Sequence, residues 1–550
     1  MNQLIECVPN FSEGRDPAII KQITDQIELV EGVKLLNVDP GKATNRTVVT
    51  FVGSPEQVVE AAFRAIKKAG ELIDMSKHAG EHPRMGATDV CPLIPVSNIS
   101  MDETAAYAKQ LGAKVGNELG IPVYLYEAAQ SNACRKNLSV IRAGEYEGFF
   151  KKIKLQEWKP DFGPAEFSSR SGATVIGARD FLVAYNANLN TTSVRRANSV
   201  AFDIRENGRK IKNEKGEEIN QPGTCKAVNA IGWYIDEYGI AQVSMNLTNI
   251  SITPVHKAFE ECVKSAASRG MRVTGSELVG LIPLQAMVNA GKYFLKQQQR
   301  STGVSEKELI RIAIKSMGLD ELGPFKPEER IIEYVLNSEM KNKLINRSLA
   351  DFADETASES PAPGGGSISA YVGSLGISLA TMVANLSSHK KGWDDRWEEF
   401  SSWAERGQKI KDDLLRLVDE DTEAFNKIMN AFGLPKSTDE EKKTRTEAIQ
   451  SATKVAMEVP FKVMELSYSS LVIIKAMAVS GNPNSVSDAG VGALCARSAV
   501  MGAYLNVRIN SSGLSDQLFV SEVLKKGMLI QEKAMKEEAE ILEIVNSKIA

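Results

Sequence analysis

Cysteine is scarce. Cys7, Cys91, Cys134, Cys225, Cys262 and Cys495 lie scattered through 550 residues with no C-x-x-C spacing. That excludes a disulfide framework and a cysteine zinc cluster, and it suits a reducing compartment, so a cytoplasmic location is expected. An excess of positive charge is also missing. The formal net charge of −4 offers no global attraction to nucleic acid or anionic membranes, and any anionic substrate must be met by local basic groups or backbone amides. The N-terminus has no basic stretch leading into an apolar run, so no secretory signal is expected. Charge of either sign is absent from Ser360 to Ser388, a stretch long enough to cross a bilayer. Within it, Ser374, Ser378, Thr381 and Asn385 recur at spacings of four and three, with Gly373 and Gly376 as points of close approach. That pattern describes a helix buried against other helices, and no membrane span is expected.

What is present is ordinary globular composition, 43% hydrophobic and 25% charged. The length suggests about two to four domains. Leu4 to Val8 reads as a strand, Pro17 to Leu29 as a helix, Val33 to Val38 and Thr47 to Val52 as strands, and Pro55 to Ile73 as a helix. Strand Val90 to Pro95 follows, so the order is that of a ferredoxin-like split unit. The rhythm returns with strand Val175 to Asn186, helix Ser193 to Glu206, strands Ala227 to Tyr234 and Ala241 to Leu247, helix Pro254 to Arg269 and strand Val273 to Ile282. The charged run from Asn207 to Glu218 reads as a solvated hairpin or loop. Beyond Leu344 nearly everything reads helical, punctuated by Pro435, Pro460 and Pro483. The expected architecture is an α/β (α+β) half of two ferredoxin-like subdomains, 1–173 and 174–325, then a linker, 326–345, and an all-α bundle, 346–550. Helices this apolar, with small residues on one face, are expected to bury surface against copies of the same chain.

Two of the four histidines fall within five residues, in His78-Ala-Gly-Glu-His82-Pro-Arg-Met-Gly-Ala-Thr-Asp89. As a pattern this matches H-x-x-E-H, a zinc-hydrolase signature that needs both histidines one turn apart on a helix. Gly80 lies between them and Pro83 pushes His82 towards extended backbone. Loop backbone is expected instead, with His82 as an acid/base and His78 structural.

This segment, with Cys7-Val-Pro-Asn-Phe-Ser-Glu-Gly-Arg15, resembles the glutamate formiminotransferase family over residues 1 to about 325. Ala362-Pro-Gly-Gly-Gly-Ser367 and Val418-Asp-Glu-Asp-Thr-Glu-Ala-Phe425 resemble the formiminotetrahydrofolate cyclodeaminase family over about 346 to 550. The order and length resemble the fused, bifunctional form of the two. The resemblance implies transfer of a formimino group from N-formimino-L-glutamate to tetrahydrofolate, then cyclisation to 5,10-methenyltetrahydrofolate with loss of ammonia. Tetrahydrofolate, with or without a polyglutamate tail, would be a co-substrate; no tightly bound cofactor and no metal are expected. A homo-oligomer is implied, with the family's ring-like assembly suggesting eight chains.

The family's catalytic histidine matches His82, and its cyclodeaminase aspartate matches Asp421. Its folate-contacting loop matches Gly163, Pro164, Ala165, Glu166, Phe167, Ser168, Ser169, Arg170, Ser171 and Gly172. The outer positions fit best, whereas Glu166 and Arg170 depart from the family pattern. From the residues alone, Asp39 stands at a strand end where a carboxylate can orient a histidine, although Asp-Pro-Gly is also an ordinary turn. Glu81 and Asp89 are further candidates. Arg84, Arg135, Arg179 and Lys42 are candidate forks for substrate carboxylates. Asp421 is expected on a buried seam with Leu414, Val418, Phe425, Ile428 and Phe432, where burial would raise its pKa; Asp419, Glu420 and Glu423 fall off that seam. The glycine loop before Ser367 offers amide N–H groups at a helix start, a place for a carboxylate. Two other functions remain open: a zinc hydrolase using His78, Glu81 and His82, and a non-catalytic folate-binding scaffold.

Overall fold

The computed structural model describes residues 3–42, 44–80, 83–213, 216–336 and 343–549. Its first sheet begins with β1 (Leu4–Cys7), β2 (Asn10–Phe11), α1 (Pro17–Glu28), β3 (Lys34–Gly41), β4 (Arg46–Gly53), α2 (Pro55–Leu72) and β5 (Thr88–Ser97). Strands β1 and β2 run in one line between β4 and β5, because each pairs antiparallel with both, and β3 closes the outer edge of β4. This is the strand order of the expected ferredoxin-like unit. Then come α3 (Met101–Leu119), β6 (Val123–Glu127), the short helices α4 (Leu138–Arg142) and α5 (Glu145–Lys152), and β7 (Thr174–Ala178). Strands β7 and β6 extend the sheet past β5 in parallel.

Alternation along these strands sends Ile5, Cys7, Val49, Phe51, Cys91 and Leu93 to one face, where they form a core with α1, α2 and α3. Side-chain caps start α1 and α3. Asp16 accepts from the amides of Ala18 and Ile19 ahead of Pro17, and Ser100 and Glu103 form a capping box. On the opposite face Val90, Tyr124, Tyr126 and Val175 pack against Ile141, Phe149 and Ile153, so α4, α5 and the chain after them cover part of the sheet.

The second sheet comprises β8 (Val183–Leu189), α6 (Val194–Ile204), β9 (Arg209–Lys212), β10 (Glu218–Gln221), β11 (Val228–Ile235), β12 (Ile240–Leu247), α7 (Val255–Ser268) and β13 (Val273–Val279). Its order, β11-β12-β8-β13, repeats the split unit, and β9 and β10 form the expected exposed hairpin. The strand expected from Val175 to Asn186 is two strands. β7 ends at Ala178 in the first sheet and β8 starts at Val183 in the second, so the change of sheet falls at 179–182.

The remaining helices are α8 (Leu284–Gln297), α9 (Glu306–Met317), α10 (Pro327–Arg330), α11 (Ile332–Leu336), α12 (Leu349–Thr356), α13 (Gly365–Ser388), α14 (Trp397–Phe432), α15 (Asp439–Ser480), α16 (Val486–Ser511) and α17 (Gln517–Ile549). Two compact units result: Met1–Ala286 with Met317–Ser338, and Met287–Ser316 with Glu339–Ala550. The stretch 287–316, expected within the second α/β subdomain, therefore clusters with the helical bundle. Its contacts explain this. The Thr302 amide donates to Ser401 Oγ at 3.0 Å, Thr302 Oγ1 donates to Glu405, and Lys292 pairs with Glu405 at 3.2 Å.

Helix α13 is buried as expected, with Gly376 backed onto the Gly492 carbonyl. Its hydroxyls turn back on their own helix: Ser378 donates to the Ser374 carbonyl and Thr381 to the Ile377 carbonyl. Helices α13 and α15 are each long and apolar enough to span a membrane, yet at least half of the relevant window is buried in the bundle. Pro460, expected to punctuate, lies buried inside α15.

Candidate active sites

The first site is built around residues 78–89. Residues 78–80 and 83–84 have no helical backbone, as Gly80 and Pro83 required. Glu81 and His82 lie outside the described residues. Both flanks of His82 are pinned. Upstream, Asn45 Nδ2 donates to the Ala79 carbonyl at 3.0 Å, and His78 Nε2 meets the Asn45 carbonyl at 2.9 Å. Arg84 Nε donates to His78 Nδ1, and Arg84 Nη2 to the His78 carbonyl, each at 3.2 Å. His78 thus accepts at Nδ1 and donates at Nε2, the neutral imidazole. Burial holds its pKa below the ordinary histidine value, against the pull of the Asn45 carbonyl. With both nitrogens engaged, His78 is a structural histidine rather than half of a zinc pair.

Downstream, the Met85 amide donates to Asp89 Oδ1 at 3.0 Å. Phe11 pairs with Thr88 and Asn10 with Val90, so Asp89 is the extra residue of a β-bulge, a device that re-aims a side chain. Asp89 is fully buried and accepts two donors from Arg142, Nε at 3.3 Å and Nη2 closer still. Arg46 Nη2 lies 4.0 Å from the same carboxylate and donates to Asn10 Oδ1. Burial pulls the Arg46 pKa down to about 10, although Asp89 opposes it. Arg142 ends α4, where the carbonyls of Val140, Ile141 and the following Ala143 all accept from Lys152 Nζ. Burial lowers the Lys152 pKa to about 8, with Arg135 adding to the effect.

Asp39 pairs with Val48, and Val48 with Asn10, so Asp39 and Asn10 share one sheet face about 10 Å apart. Asp39 is exposed there, on the edge strand.

The 163–172 loop is tied to the histidine segment. Ala87 donates to the Ser171 carbonyl at 2.9 Å, Ala173 to the Met85 carbonyl at 3.1 Å, and Gly86 bridges Gly172. Gly172 has φ +66°, and a Cβ there would sit 2.1 Å from the Met85 carbonyl oxygen, so only glycine allows this approach. Gly163 is likewise left-handed. Phe167 packs on Tyr146, Phe149 and Phe150, while Tyr146 Oη donates to the Ser169 carbonyl. Ser168 Oγ accepts from the Ser171 amide, and Arg170 donates to the Glu71 carbonyl. Pro164, Ala165 and Glu166 are exposed.

Two of the expected carboxylate forks are spent within the protein. Arg84 holds Glu147 with two bonds, at 2.6 and 2.9 Å, and Glu145 at 3.2 Å. Arg135 holds Asp161 at 3.1 Å and the carbonyls of Glu157 and Lys159. Arg179 donates to the Asp180 carbonyl and Lys42 is exposed. The basic pair beside the histidine segment is Arg46 and Arg142, which the sequence did not single out. The available signal was Asp89, whose burial among strand residues demands a cation.

The second site joins the start of α13 to the middle of α14. Asp421 Oδ2 accepts from the Ser367 amide at 2.9 Å and from Ser367 Oγ at 3.1 Å. A Cβ on Gly366 would lie 2.1 Å from Asp421 Oδ1. The carboxylate at this helix start is thus the protein's own. Burial raises the Asp421 pKa and the Ser367 bonds lower it, with a net rise. Asn506 stands beside Gly365. The seam differs from expectation. Asp421 is partly exposed, Phe432 is 51% exposed, and Asp419 is the more buried acid because the Leu344 amide docks on it at 2.7 Å.

Residues 4–179 match the family described as formiminotransferase domain, N-terminal subdomain; 184–337 match the formiminotransferase domain, and 348–527 match formiminotransferase-cyclodeaminase. A formimidoyltransferase-cyclodeaminase from Gallus gallus is 42% identical over 551 residues, covering 100% of each chain. The chain belongs to the formimidoyltransferase-cyclodeaminase family. Shorter relatives match parts of the chain. A glutamate formimidoyltransferase from Thermoplasma acidophilum is 43% identical over 53% of this chain and 92% of its own. A methenyltetrahydrofolate cyclohydrolase from Methylorubrum extorquens is 37% identical over 37% of this chain and 98% of its own.

Proposed function

We propose that the chain is a bifunctional folate enzyme. It transfers the formimino group from N-formimino-L-glutamate to N5 of tetrahydrofolate, then closes N10 onto the formimino carbon, releasing ammonia and 5,10-methenyltetrahydrofolate. The observation that carries this is the tether of the 163–172 loop to Met85–Ala87. In the sequence His82 stands between the pinned residues Ala79 and Met85. We therefore assign the acid/base and the folate loop to one site. His82 takes the proton of the attacking N5 and returns it to the departing glutamate nitrogen as the tetrahedral centre collapses. Asp39, on the face that holds Asn10 and Arg46, is the carboxylate we assign to steadying the imidazolium. In the second unit Asp421 delivers a proton to the leaving ammonia nitrogen.

Purified chain given N-formimino-L-glutamate and tetrahydrofolate is expected to gain methenyl absorbance with one ammonia released per methenyl formed. Unchanged absorbance and no ammonia would remove the proposal. Gly366→Ala tests the second site separately. Its methyl cannot coexist with Asp421 at 2.1 Å, so cyclisation should fall about 100-fold or more, with 5-formiminotetrahydrofolate formed at the normal rate.

We further place the enzyme in histidine breakdown, since formiminoglutamate carries that ring's carbon. All six cysteines are free thiols, including Cys7 and Cys91 at 3.5 Å, which supports a reducing cytoplasm. On α16, Leu505 and Ile509 are 63% and 71% exposed, and this apolar surface supports a homo-oligomer.

A further inference from the structure

Helices α13 and α14 run antiparallel. Ser367, in the first turn of α13, meets Val418 and Asp421, while Thr381, further along α13, lies against Gly407. Helix α13 therefore begins level with Asp421, and the last turns of α14 overhang that start. Phe425, Ile428 and Phe432 follow Asp421 at steps of four, three and four, so they share its face of α14. Beyond the start of α13 this face is only half covered. Phe425 and Ile428 are half-buried, Phe432 is 51% exposed and the neighbouring Met429 is 53% exposed. What the sequence marks as a buried seam is an apolar strip leading outward from Asp421 over about 16 Å.

Arg445, in the second turn of α15, stands at the far end of the strip. Its Nε and Nη2 donate to the Phe432 carbonyl at 3.3 and 3.2 Å, and its guanidinium lies 5.6 Å from the Phe432 ring centroid. These contacts fix the guanidinium, yet no carboxylate pairs with it among the described residues. The neighbouring acids are engaged elsewhere: Asp439 and Glu447 pair with Lys442 and Lys443, and Glu441 completes the capping box of α15. An acid at the root, apolar rings along the middle and a cation at the tip match a ligand with a reacting head, an aryl ring and a carboxylate.

We propose that Phe425, Ile428, Phe432 and Arg445 seat the p-aminobenzoylglutamate half of 5-formiminotetrahydrofolate during cyclisation. This rests on the cyclodeaminase activity and the role of Asp421 proposed above. Beyond N10 the aryl ring and glutamyl unit extend on the order of 10 Å, and the lengths of the Asp421 and Arg445 side chains cover the remainder. The aryl ring packs on the phenyl rings, and a glutamyl carboxylate takes a charge-assisted bond from Arg445. The strip holds the part of the substrate that does not react, which leaves Asp421 to the departing nitrogen.

The test uses the full-length enzyme and supplied 5-formiminotetrahydrofolate. Arg445→Gln and Phe432→Ser are each expected to raise the cyclisation KM about 10-fold or more, with kcat within about twofold. Arg445→Lys, which keeps the charge, should show a smaller rise. p-Aminobenzoyl-L-glutamate, which carries no pterin, should inhibit the wild type competitively, and its Ki should rise in both impaired variants. Light scattering should find every variant in the wild-type assembly. The strip is overturned by an unchanged KM in both variants, by Arg445→Lys as poor as Arg445→Gln, or by p-aminobenzoyl-L-glutamate that does not compete. A Phe432→Ser enzyme that dissociates would also overturn it, because the face would then be a contact between copies. A wild type that does not cyclise, or an Asp421→Asn enzyme that cyclises normally, would instead overturn the reading on which the strip rests.

Discussion

His82→Ala is expected to lower formimino transfer by about 1,000-fold or more, while cyclisation of supplied 5-formiminotetrahydrofolate stays within about twofold of normal. The size follows from using one imidazole twice, as base for N5 and as acid for the departing nitrogen, each being an acid/base contribution of about 100-fold or more. The independence follows from the sites lying in different compact units. His78→Gln is the contrast. His78 is held between Arg84 and the Asn45 carbonyl, so its loss should loosen the segment and raise both KM values, without the all-or-none loss. Following 5-formiminotetrahydrofolate directly separates the two. Equal rates for wild type and His82→Ala would dismiss the histidine, and added imidazole restoring part of the rate would locate the defect in proton transfer.

Most of the fold was legible because alternation and helical period are local. The split units followed from strand and helix order alone. What escaped depends on tertiary partners. The run from Val175 to Asn186 is apolar on both sides of Arg179-Asp180, and only pairing shows that β7 and β8 join different sheets. Pro460 continues a helix because its surroundings in the bundle outweigh the loss of one N–H bond. Arg84 and Arg135 had the right charge for a substrate, but whether a guanidinium is already occupied is written in its neighbours. Asp419 was misjudged for the same reason: the face of α14 that looks solvent-bound by period is covered when Leu344 docks. At the sites, residue types were readable and their pairing was not. The glycine loop before Ser367 was readable as a place for a carboxylate, and the carboxylate that Ser367 holds is Asp421.

Asp421→Asn is expected to leave transfer intact and to stop the second step, so 5-formiminotetrahydrofolate accumulates while methenyl absorbance and ammonia both fall by about 100-fold or more. The fold should survive the change. An asparagine oxygen can still accept from the Ser367 amide and hydroxyl. Moreover, the Asp421 pKa is raised in the folded chain, so as pH rises from the unfolded-chain pKa through the folded one the folded state keeps its proton longer than the unfolded chain does, and ionisation costs stability rather than adding it. Removing the charge is thus neutral or mildly stabilising, and a lost activity cannot be laid to unfolding. The pH profile carries the mechanism. As a proton donor, Asp421 works in its protonated form, so cyclisation by the wild type should decline as pH rises through a pKa above the ordinary carboxylate value. The residual rate of Asp421→Asn should lack that limb. A wild-type rate that climbs with pH over the same interval would make Asp421 a base, and an Asn variant that cyclises normally would leave it a structural cap on α13.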